Sequence, residues 1–165
     1  LPKIKIIRDH GQSEKYHHIM EGYNGRLDAI QAGILGIKLK RLSAWNENRR
    51  INATRYNELM SKMQGVIKPY EPSWSKAVYH LYIIRVKNRD NLQKHLTDNG
   101  IATGLHYPVP LHLQKAYMKS GYKRGDFPVS ENVAREILSL PMYPGLKEEA
   151  QIHIVKSIRE FIDNN

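Results

Sequence analysis

A long amphipathic segment, residues 26–64, limits the folds that are open to this chain. Apolar residues recur there at three- and four-residue spacing, and small residues fill the gaps in its first part. The apolar positions are Leu27, Ile30, Ile34, Ile37, Leu39, Leu42, Trp45, Ala53, Tyr56, Leu59, Met60 and Met63, and the small ones are Ala29, Ala32, Gly33 and Gly36. The spacing predicts two consecutive helices, 26–38 and 38–64, or one long bent helix ending at Gly65. The small residues predict close packing of another backbone.

The residues after Gly65 alternate between strand-like and helix-like patterns. Strands are predicted at 66–70, 77–87 and 101–108, where β-branched and aromatic residues cluster. Helices are predicted at 88–100, with Asn88 as N-cap, at 111–121, from Ser130 onward, and in the closing segment from Lys147. The fold class is therefore α/β, with a small α+β domain at 65–165 whose sheet is covered by helices. Residues 1–64 are predicted to be the tail of a larger domain with connector helices.

Charge and composition restrict the partners. Lys and Arg total 26 against 16 Asp and Glu, and the net charge of +10 suits an anionic partner. The basic residues are scattered along the sequence rather than grouped in runs, and this pattern does not favour nucleic acid as the partner. Cysteine is absent, and no apolar run is long enough to span a bilayer, so neither a membrane nor a thiolate metal site is predicted. A cytoplasmic location is expected, and the opening "LPKIKIIRDHG" indicates a fragment of a longer chain.

The loop "GYNG", residues 22–25, precedes the long amphipathic segment and is a candidate anion site. The Asn24 side chain, the free N–H groups of a helix start and the Arg26 guanidinium are all donors suited to a phosphate. The loop is too small to hold a phosphorylated ligand alone, so this interpretation requires a second surface. The alternative is a turn that only leads into a helix.

The segment "LHYPVPLH" is the second candidate. Two prolines fix the backbone where a strand ends, and they present His106 and Tyr107 in a defined direction. The alternative is a structural turn with a packed tyrosine. No metal site is predicted, because the spacing of His106 and His112 matches no common ligand pattern. The glycine-rich nucleotide fingerprints and the GxSxG motif are absent from the sequence.

Three stretches of the chain resemble the DegT/DnrJ/StrS family of sugar-nucleotide aminotransferases. They are residues 10–57, which contain "GYNGRLDAIQAGIL", residues 79–117, which contain "HYPVPLHLQKAY", and residues 127–146, "FPVSENVAREILSLPMYPGL". The family consists of pyridoxal-phosphate enzymes with the aspartate-aminotransferase fold, and the match is to its C-terminal part. The resemblance implies that the Schiff-base lysine lies upstream, so no catalytic residue is expected here and this chain alone is expected to be inactive.

The resemblance also implies roles for individual residues. In homodimers with shared active sites, Asn24 would reach the partner's cofactor phosphate, with Arg26 beside it. His106 and Tyr107 would border the sugar-nucleotide site, and Tyr16 and His18 would approach the same cleft. The implied reaction moves an amino group from glutamate to a nucleotide-linked keto-sugar, and the "GYNGRLDAIQAGIL" sequence is similar to the branch that acts on dTDP-3-keto-6-deoxyhexoses. The alternatives are a non-catalytic regulatory or dimerisation module and a basic nucleic-acid-binding domain.

Overall fold

The structure is a computed structural model that describes residues 2–164. Its internal contacts form two compact units, one ending at Ser43 and the other starting at Ala44. The boundary predicted near Gly65 separates the domains of the intact protein, and it stays a prediction.

The first unit contains a short helix and a hairpin. Helix α1 spans Pro2–Arg8, strand β1 spans Gln12–Glu14 and strand β2 spans His17–His18. The two strands pair antiparallel, as expected from the polar, glycine-punctuated sequence. An isolated antiparallel bridge joins Asp9 to Asn24, so the chain after the hairpin returns to the end of α1.

Helix α2, Ala29–Leu59, is one continuous helix that crosses the division between the units. It begins three residues later than predicted, because the Asp28 carboxylate accepts the N–H groups of Ile30 and Gln31 at 2.9 and 3.1 Å. It ends at Leu59, and the predicted end at Gly65 is wrong. Residues 60–65 form turns in which Met60 and Met63 still pack on the core, which explains why the apolar spacing continues past the helix.

The second unit is built on a small antiparallel sheet. Strand β3, Tyr82–Arg85, pairs with strand β4, Ile137–Leu140, in a register that places Tyr82 opposite Leu140. Single bridges extend this sheet on both sides, from Ile67 to Arg85 and from Gly104 to Ser139. The strands predicted at 66–70 and 101–108 are therefore reduced to one bridge each.

The strand predicted at 77–87 is also shorter in the structure. Tyr79 has a positive φ of 48°, which a continuous strand does not allow. The Glu71 carboxylate accepts the Ala77 N–H at 2.6 Å and the Tyr79 hydroxyl at 2.7 Å. These hydrogen bonds hold the segment before β3 in a loop. They could not be predicted from the pattern of residues in the sequence.

Helices cover the sheet as predicted. They are α3, Arg89–Asp98, α4, Pro128–Glu136, and α5, Glu148–Asp163, with two 3-10 helices at Leu111–Leu113 and Lys115–Ser120. Asn88 is at the N-cap position of α3, but its side chain does not cap the helix. The α3 C-terminus is a Schellman motif: Gly100 has a φ of +73°, and the Gly100 and Ile101 N–H groups reach the Thr97 and Leu96 carbonyls.

The core of the second unit lies between the sheet and helices α2, α3 and α5. Its fully buried side chains include Tyr56, Met60, Tyr82, Ile84, Leu92, Leu96, Leu138 and Ile158. The mixed architecture of helices around a small sheet confirms the predicted α/β class. In the described residues, no helix is long and apolar enough to cross a membrane.

Candidate functional site

The GYNG loop lies against the C-terminal end of α1 and is held there by backbone hydrogen bonds. Tyr23 donates its N–H to the Ile7 carbonyl at 2.7 Å, and its own carbonyl accepts the His10 N–H at 3.0 Å. Gly25 donates to the Arg8 carbonyl at 2.7 Å. The loop is therefore held to the end of α1 on both sides of Asn24.

Close approach of two backbones explains the glycine at position 22. A Cβ on Gly22 would overlap the Gly11 backbone nitrogen and would lie 2.7 Å from the Ile7 carbonyl oxygen. Gly11 itself has a φ of +76°, and a Cβ there would overlap the Met20 carbonyl oxygen. Gly22 and Gly11 thus leave room for the loop. In the structure they allow it to pack on α1.

The Asn24 and Arg26 side chains are exposed at this loop. The Arg26 Nε lies 3.5 Å from the Asp9 Oδ1 in a loose ion pair, and the Arg26 side chain is 62% exposed. Within residues 2–164, the Asn24 carboxamide has no hydrogen-bond partner. Of the predicted donors, the Asn24 carboxamide and the Arg26 guanidinium are thus exposed, whereas the Asp28 carboxylate takes two of the helix-start N–H groups. Anion binding by Asn24 and Arg26 stays a prediction.

Tyr16 and Arg26 line the same open cleft of about 570 Å³ in the first unit, together with Asp9 and His10. Tyr16 is 77% exposed and stands at the tip of the hairpin, where its backbone N–H is accepted by the Gln12 side chain at 2.8 Å. His18 makes a different contact: its Nδ1 is 2.8 Å from the His10 carbonyl oxygen. That bond uses one ring nitrogen of His18 to brace the hairpin.

His106 and Tyr107 line a cleft of about 490 Å³ in the second unit. Its other walls are mainly apolar and come from Val109, Pro110, Leu111, Phe127, Val133 and Ile137. The His106 Nδ1 lies 2.8 Å from the Ser139 Oγ on β4. Tyr107 is 73% exposed and meets the His106 ring edge-on, with ring centroids 5.6 Å apart. The structure thus presents both residues on one cleft, and their place beside a sugar-nucleotide site stays a prediction.

A buried ionisable pair lies beside this cleft, and its histidine, His112, is one of the lining residues. The His112 Nε2 lies 3.0 Å from the Glu131 Oε1, and both side chains are 8% exposed. The Gly125 N–H donates to the same carboxylate at 2.8 Å. This backbone bond and the contact with His112 hold the pKa of Glu131 below its usual range, against the opposing effect of burial. The pair ties the 3-10 helix at Leu111–Leu113 to α4.

Sequence reasoning missed Ser139, Glu131 and Asp9. A serine between Leu138 and Leu140 is a polar residue in an otherwise apolar strand, and that signal was present in "LSL". Glu131 and His112 are nineteen positions apart, and no local pattern joins them. Another polar cluster pairs Glu71 with Arg50 at 3.0 Å. The Ala77 N–H, the Tyr79 hydroxyl and Arg50 lower the pKa of Glu71 to about 2.

In the part of the chain that the structure describes, no group of three or more His, Asp or Glu side chains is placed to hold an ion.

Comparison with known proteins identifies the family. The family model described as the DegT/DnrJ/EryC1/StrS aminotransferase family matches residues 2–159. The chain belongs to this family. Members of the family are similar to it over almost its whole length. The "Pleiotropic regulatory protein" of Geobacillus stearothermophilus is 47% identical over 161 residues, which cover 96% of this chain and 43% of that protein.

A second relative is named for a reaction. The dTDP-3-amino-3,4,6-trideoxy-alpha-D-glucose transaminase of Streptomyces venezuelae is 35% identical over 98% of this chain and 42% of that protein. The chain therefore spans less than half the length of these curated relatives.

Solved structures of the family share the fold. The crystal structure of S. venezuelae DesV, in complex with a ketimine intermediate, superimposes with a TM-score of 0.92 at 35% identity and covers 98% of this chain and 43% of that one. A family aminotransferase from Brucella abortus gives a TM-score of 0.86 at 38% identity, over 96% of this chain and 42% of that one. The predicted family and fold are confirmed by these matches.

Proposed function

We propose that the intact protein is a pyridoxal-phosphate-dependent aminotransferase and that this chain is its C-terminal portion. It moves an amino group from glutamate to a nucleotide-linked keto-sugar, a dTDP-3-keto-6-deoxyhexose. It acts in the cytoplasm as a homodimer with shared active sites. This chain alone is inactive, because the lysine that binds the cofactor belongs to the large domain.

Family membership over residues 2–159 is the observation that carries this proposal. The names of several relatives support the keto position. In addition to the S. venezuelae transaminase, an Aneurinibacillus thermoaerophilus relative, 36% identical, is named as a dTDP-3-amino-3,6-dideoxy-alpha-D-galactopyranose transaminase. An Acidithiobacillus ferrooxidans relative, 37% identical, is named as a UDP-N-acetyl-3-dehydro-alpha-D-glucosamine 3-aminotransferase. All three names place nitrogen on carbon 3, and two of the three name dTDP.

The donors of the first unit fit the phosphate of the cofactor. The Asn24 carboxamide is exposed and unpaired in the described part of the chain, and the Arg26 guanidinium keeps nitrogens free beyond its contact with Asp9. Pyridoxal phosphate supplies the electron sink for amino transfer when it is bound. Asn24 and Arg26 bind its phosphate in the partner subunit, and the backbone bonds of the GYNG loop fix the position from which they do so.

The cleft of the second unit suits a deoxysugar. Its apolar walls accept a ring that carries a methyl group, while His106 and Tyr107 provide the hydrogen-bonding groups at its edge. Tyr16, exposed at the hairpin tip, and His18 are further substrate-binding residues of the intact protein. With these assignments, residues of this chain bind the substrate, and the large domain carries the lysine that catalyses the reaction.

A transamination assay on the intact protein tests the proposal. Glutamate and a dTDP-3-keto-6-deoxyhexose are expected to give 2-oxoglutarate and the corresponding dTDP-3-amino sugar. The matching UDP sugar and the 4-keto isomer serve as comparison substrates, and equal or faster turnover of either would contradict the substrate assignment. If 2-oxoglutarate does not form with any of these keto-sugars, the proposed activity is contradicted.

A non-catalytic regulatory or dimerisation module is the second candidate. It is favoured by the name of the Geobacillus relative, "Pleiotropic regulatory protein", which is 47% identical to this chain. The two candidates differ in what precedes residue 1 in the gene. A reading frame that continues into a lysine-bearing large domain supports the enzyme, and a start codon close to Leu1 supports the module.

Replacing Asn24 with alanine is expected to weaken cofactor binding in the intact protein by roughly 10- to 150-fold. A hydrogen bond to a charged group contributes about 1.5–3 kcal/mol. The fold is expected to stay intact, because the side chain is exposed. The dissociation constant of pyridoxal phosphate, followed by its absorbance, measures the effect. Asn91→Ala, at an exposed asparagine on α3, is the control, and equal affinity in the two variants would remove Asn24 from the site.

A further inference from the structure

Ser139 is a buried serine whose side chain makes one hydrogen bond within the described residues. It lies on β4, whose four residues are all buried, and only 4% of its surface is exposed. Its backbone exchanges both hydrogen bonds with Gly104, at 2.8 and 3.1 Å. Its Oγ is 2.8 Å from the His106 Nδ1, and among residues 2–164 this is the only partner of that hydroxyl.

The His106 ring is confined on its other side by Gly104. A Cβ at position 104 would lie 2.7 Å from the His106 Cε1, so the ring packs directly over the glycine backbone. Gly104 is joined to Ser139 by the bridge between the 101–108 segment and β4. The same short stretch of sheet therefore holds the ring from two directions and brings its Nδ1 to the serine hydroxyl.

Donor accounting decides which nitrogen of the neutral ring carries the proton. If Nδ1 were the N–H, it would donate to Oγ, and the Ser139 O–H would have no acceptor in a buried position. If the Ser139 O–H donates to Nδ1, both groups are satisfied, and the ring proton is on Nε2. We propose that Ser139 is a positioning residue that fixes His106 as the Nε2–H tautomer.

The consequence is a defined hydrogen-bond donor at the cleft. His106 lines the cleft, and its Nε2 has no partner in the described part of the chain. The Nε2–H therefore recognises an oxygen acceptor, such as a sugar hydroxyl, a carbonyl or a phosphate oxygen. The identity of that acceptor as part of a nucleotide-linked sugar rests on the proposed function, whereas the tautomer does not.

Nitrogen NMR of the intact protein tests the tautomer directly. The protein is labelled with ¹⁵N-histidine and studied at about pH 8, where an ordinary histidine is neutral. Long-range ¹H–¹⁵N spectra distinguish the two ring nitrogens, and the signals that vanish in His106→Gln belong to His106. We expect a protonated Nε2 and an unprotonated Nδ1. A protonated Nδ1 in the unaltered protein would overturn the proposal.

Variants at two buried serines separate positioning from general packing. Ser139→Ala is expected to give a mixture of the two tautomers, and Ser139→Thr, which keeps the hydroxyl, is expected to restore Nε2–H. Ser157→Ala is the matched control, because Ser157 is 2% exposed and its Oγ has no hydrogen-bond partner in the described chain. An unchanged His106 pattern in Ser139→Ala would contradict the proposal.

Kinetics distinguish this inference from the proposed function. With an active enzyme, Ser139→Ala is expected to lower kcat/KM for the keto-sugar by about tenfold, the effect of one neutral hydrogen bond, while KM for glutamate stays unchanged. An equal loss in Ser157→Ala would overturn the assignment. Without transaminase activity, an Nε2–H ring that depends on Ser139 still supports the inference while the proposed function fails.

Discussion

Replacing Gly22 with alanine is expected to raise the dissociation constant of the cofactor in the intact protein by roughly 100- to 1000-fold. The methyl group would overlap the Gly11 backbone nitrogen and press on the Ile7 carbonyl oxygen. Both obstacles are backbone atoms, which cannot rotate away as a side chain can. Overpacking of this kind costs about 1–3 kcal/mol, and displacement of the loop adds the loss of backbone hydrogen bonds at about 1 kcal/mol each.

The expected effect on binding follows from the population of the loop conformation. When only a fraction of the protein has the binding-competent loop, the apparent dissociation constant rises by the inverse of that fraction. A cost of about 3–4 kcal/mol thus gives the stated range, because every 1.4 kcal/mol is tenfold. The variant changes no donor that contacts the ligand, so the effect would come from positioning alone.

Cofactor absorbance and amide hydrogen exchange measure this prediction together. The Tyr23 and Gly25 amides, which donate to the Ile7 and Arg8 carbonyls, are expected to lose protection in Gly22→Ala. Gly145→Ala is the matched control, because a Cβ there has open space and its φ is not positive. Normal cofactor affinity with unprotected amides would disprove a positioning role for the loop, and full protection would disprove the packing argument.

The sequence predicted α2 well and its ends poorly. The apolar spacing reflects burial, and Met60 and Met63 stay on the core although the helix stops at Leu59. The apolar spacing therefore could not show where α2 ends. At the N-terminus Asp28 supplies the cap, and that residue type before an apolar run was available as a signal.

The strands predicted at 66–70, 77–87 and 101–108 lie in the right places but have the wrong lengths. Residue types in 66–70 and 101–108 favour extended backbone, and each segment forms one bridge to the sheet, at Ile67 and at Gly104. The β3 strand is shortened by the hydrogen bonds that the Glu71 carboxylate accepts from the Ala77 N–H and from the Tyr79 hydroxyl. Such contacts depend on how the chain folds back, which strand propensity does not describe.

Some residues of the candidate sites could be predicted from the sequence, and others could not. Asn24, Arg26, His106 and Tyr107 were predictable because they are polar residues beside glycines and prolines, and the resemblance to a family gave them roles, which stay predictions. The residues that orient them are distant in sequence. Ser139 is thirty-three positions from His106, and the contacts of Gly22 with Ile7 and Gly11 are made by backbone atoms. Only a three-dimensional structure brings these partners together.

Truncation of Leu138 to alanine is expected to have the largest effect on stability in the second unit. Leu138 is fully buried on β4, opposite Ile84 in the sheet and within the main core. A buried leucine changed to alanine costs about 2–5 kcal/mol, from lost transfer free energy and from the cavity that is left. The cost is expected near the upper value, because β4 has four residues, all buried, and little freedom to close the gap.

Urea unfolding of the intact protein, followed by hydrogen exchange of the β4 amides, measures this loss. Leu111→Ala is the control: this leucine is 71% exposed, and its truncation is expected to change the free energy of unfolding by less than about 0.5 kcal/mol. The next residue along the strand is Ser139, so the role of β4 in core packing can be separated from its role in positioning His106. Leu138→Ala is expected to lower stability while the folded protein keeps the His106 tautomer, and Ser139→Ala is expected to change the tautomer with a smaller loss of stability. Equal stability of Leu138→Ala and Leu111→Ala would contradict the placement of β4 at the centre of the core.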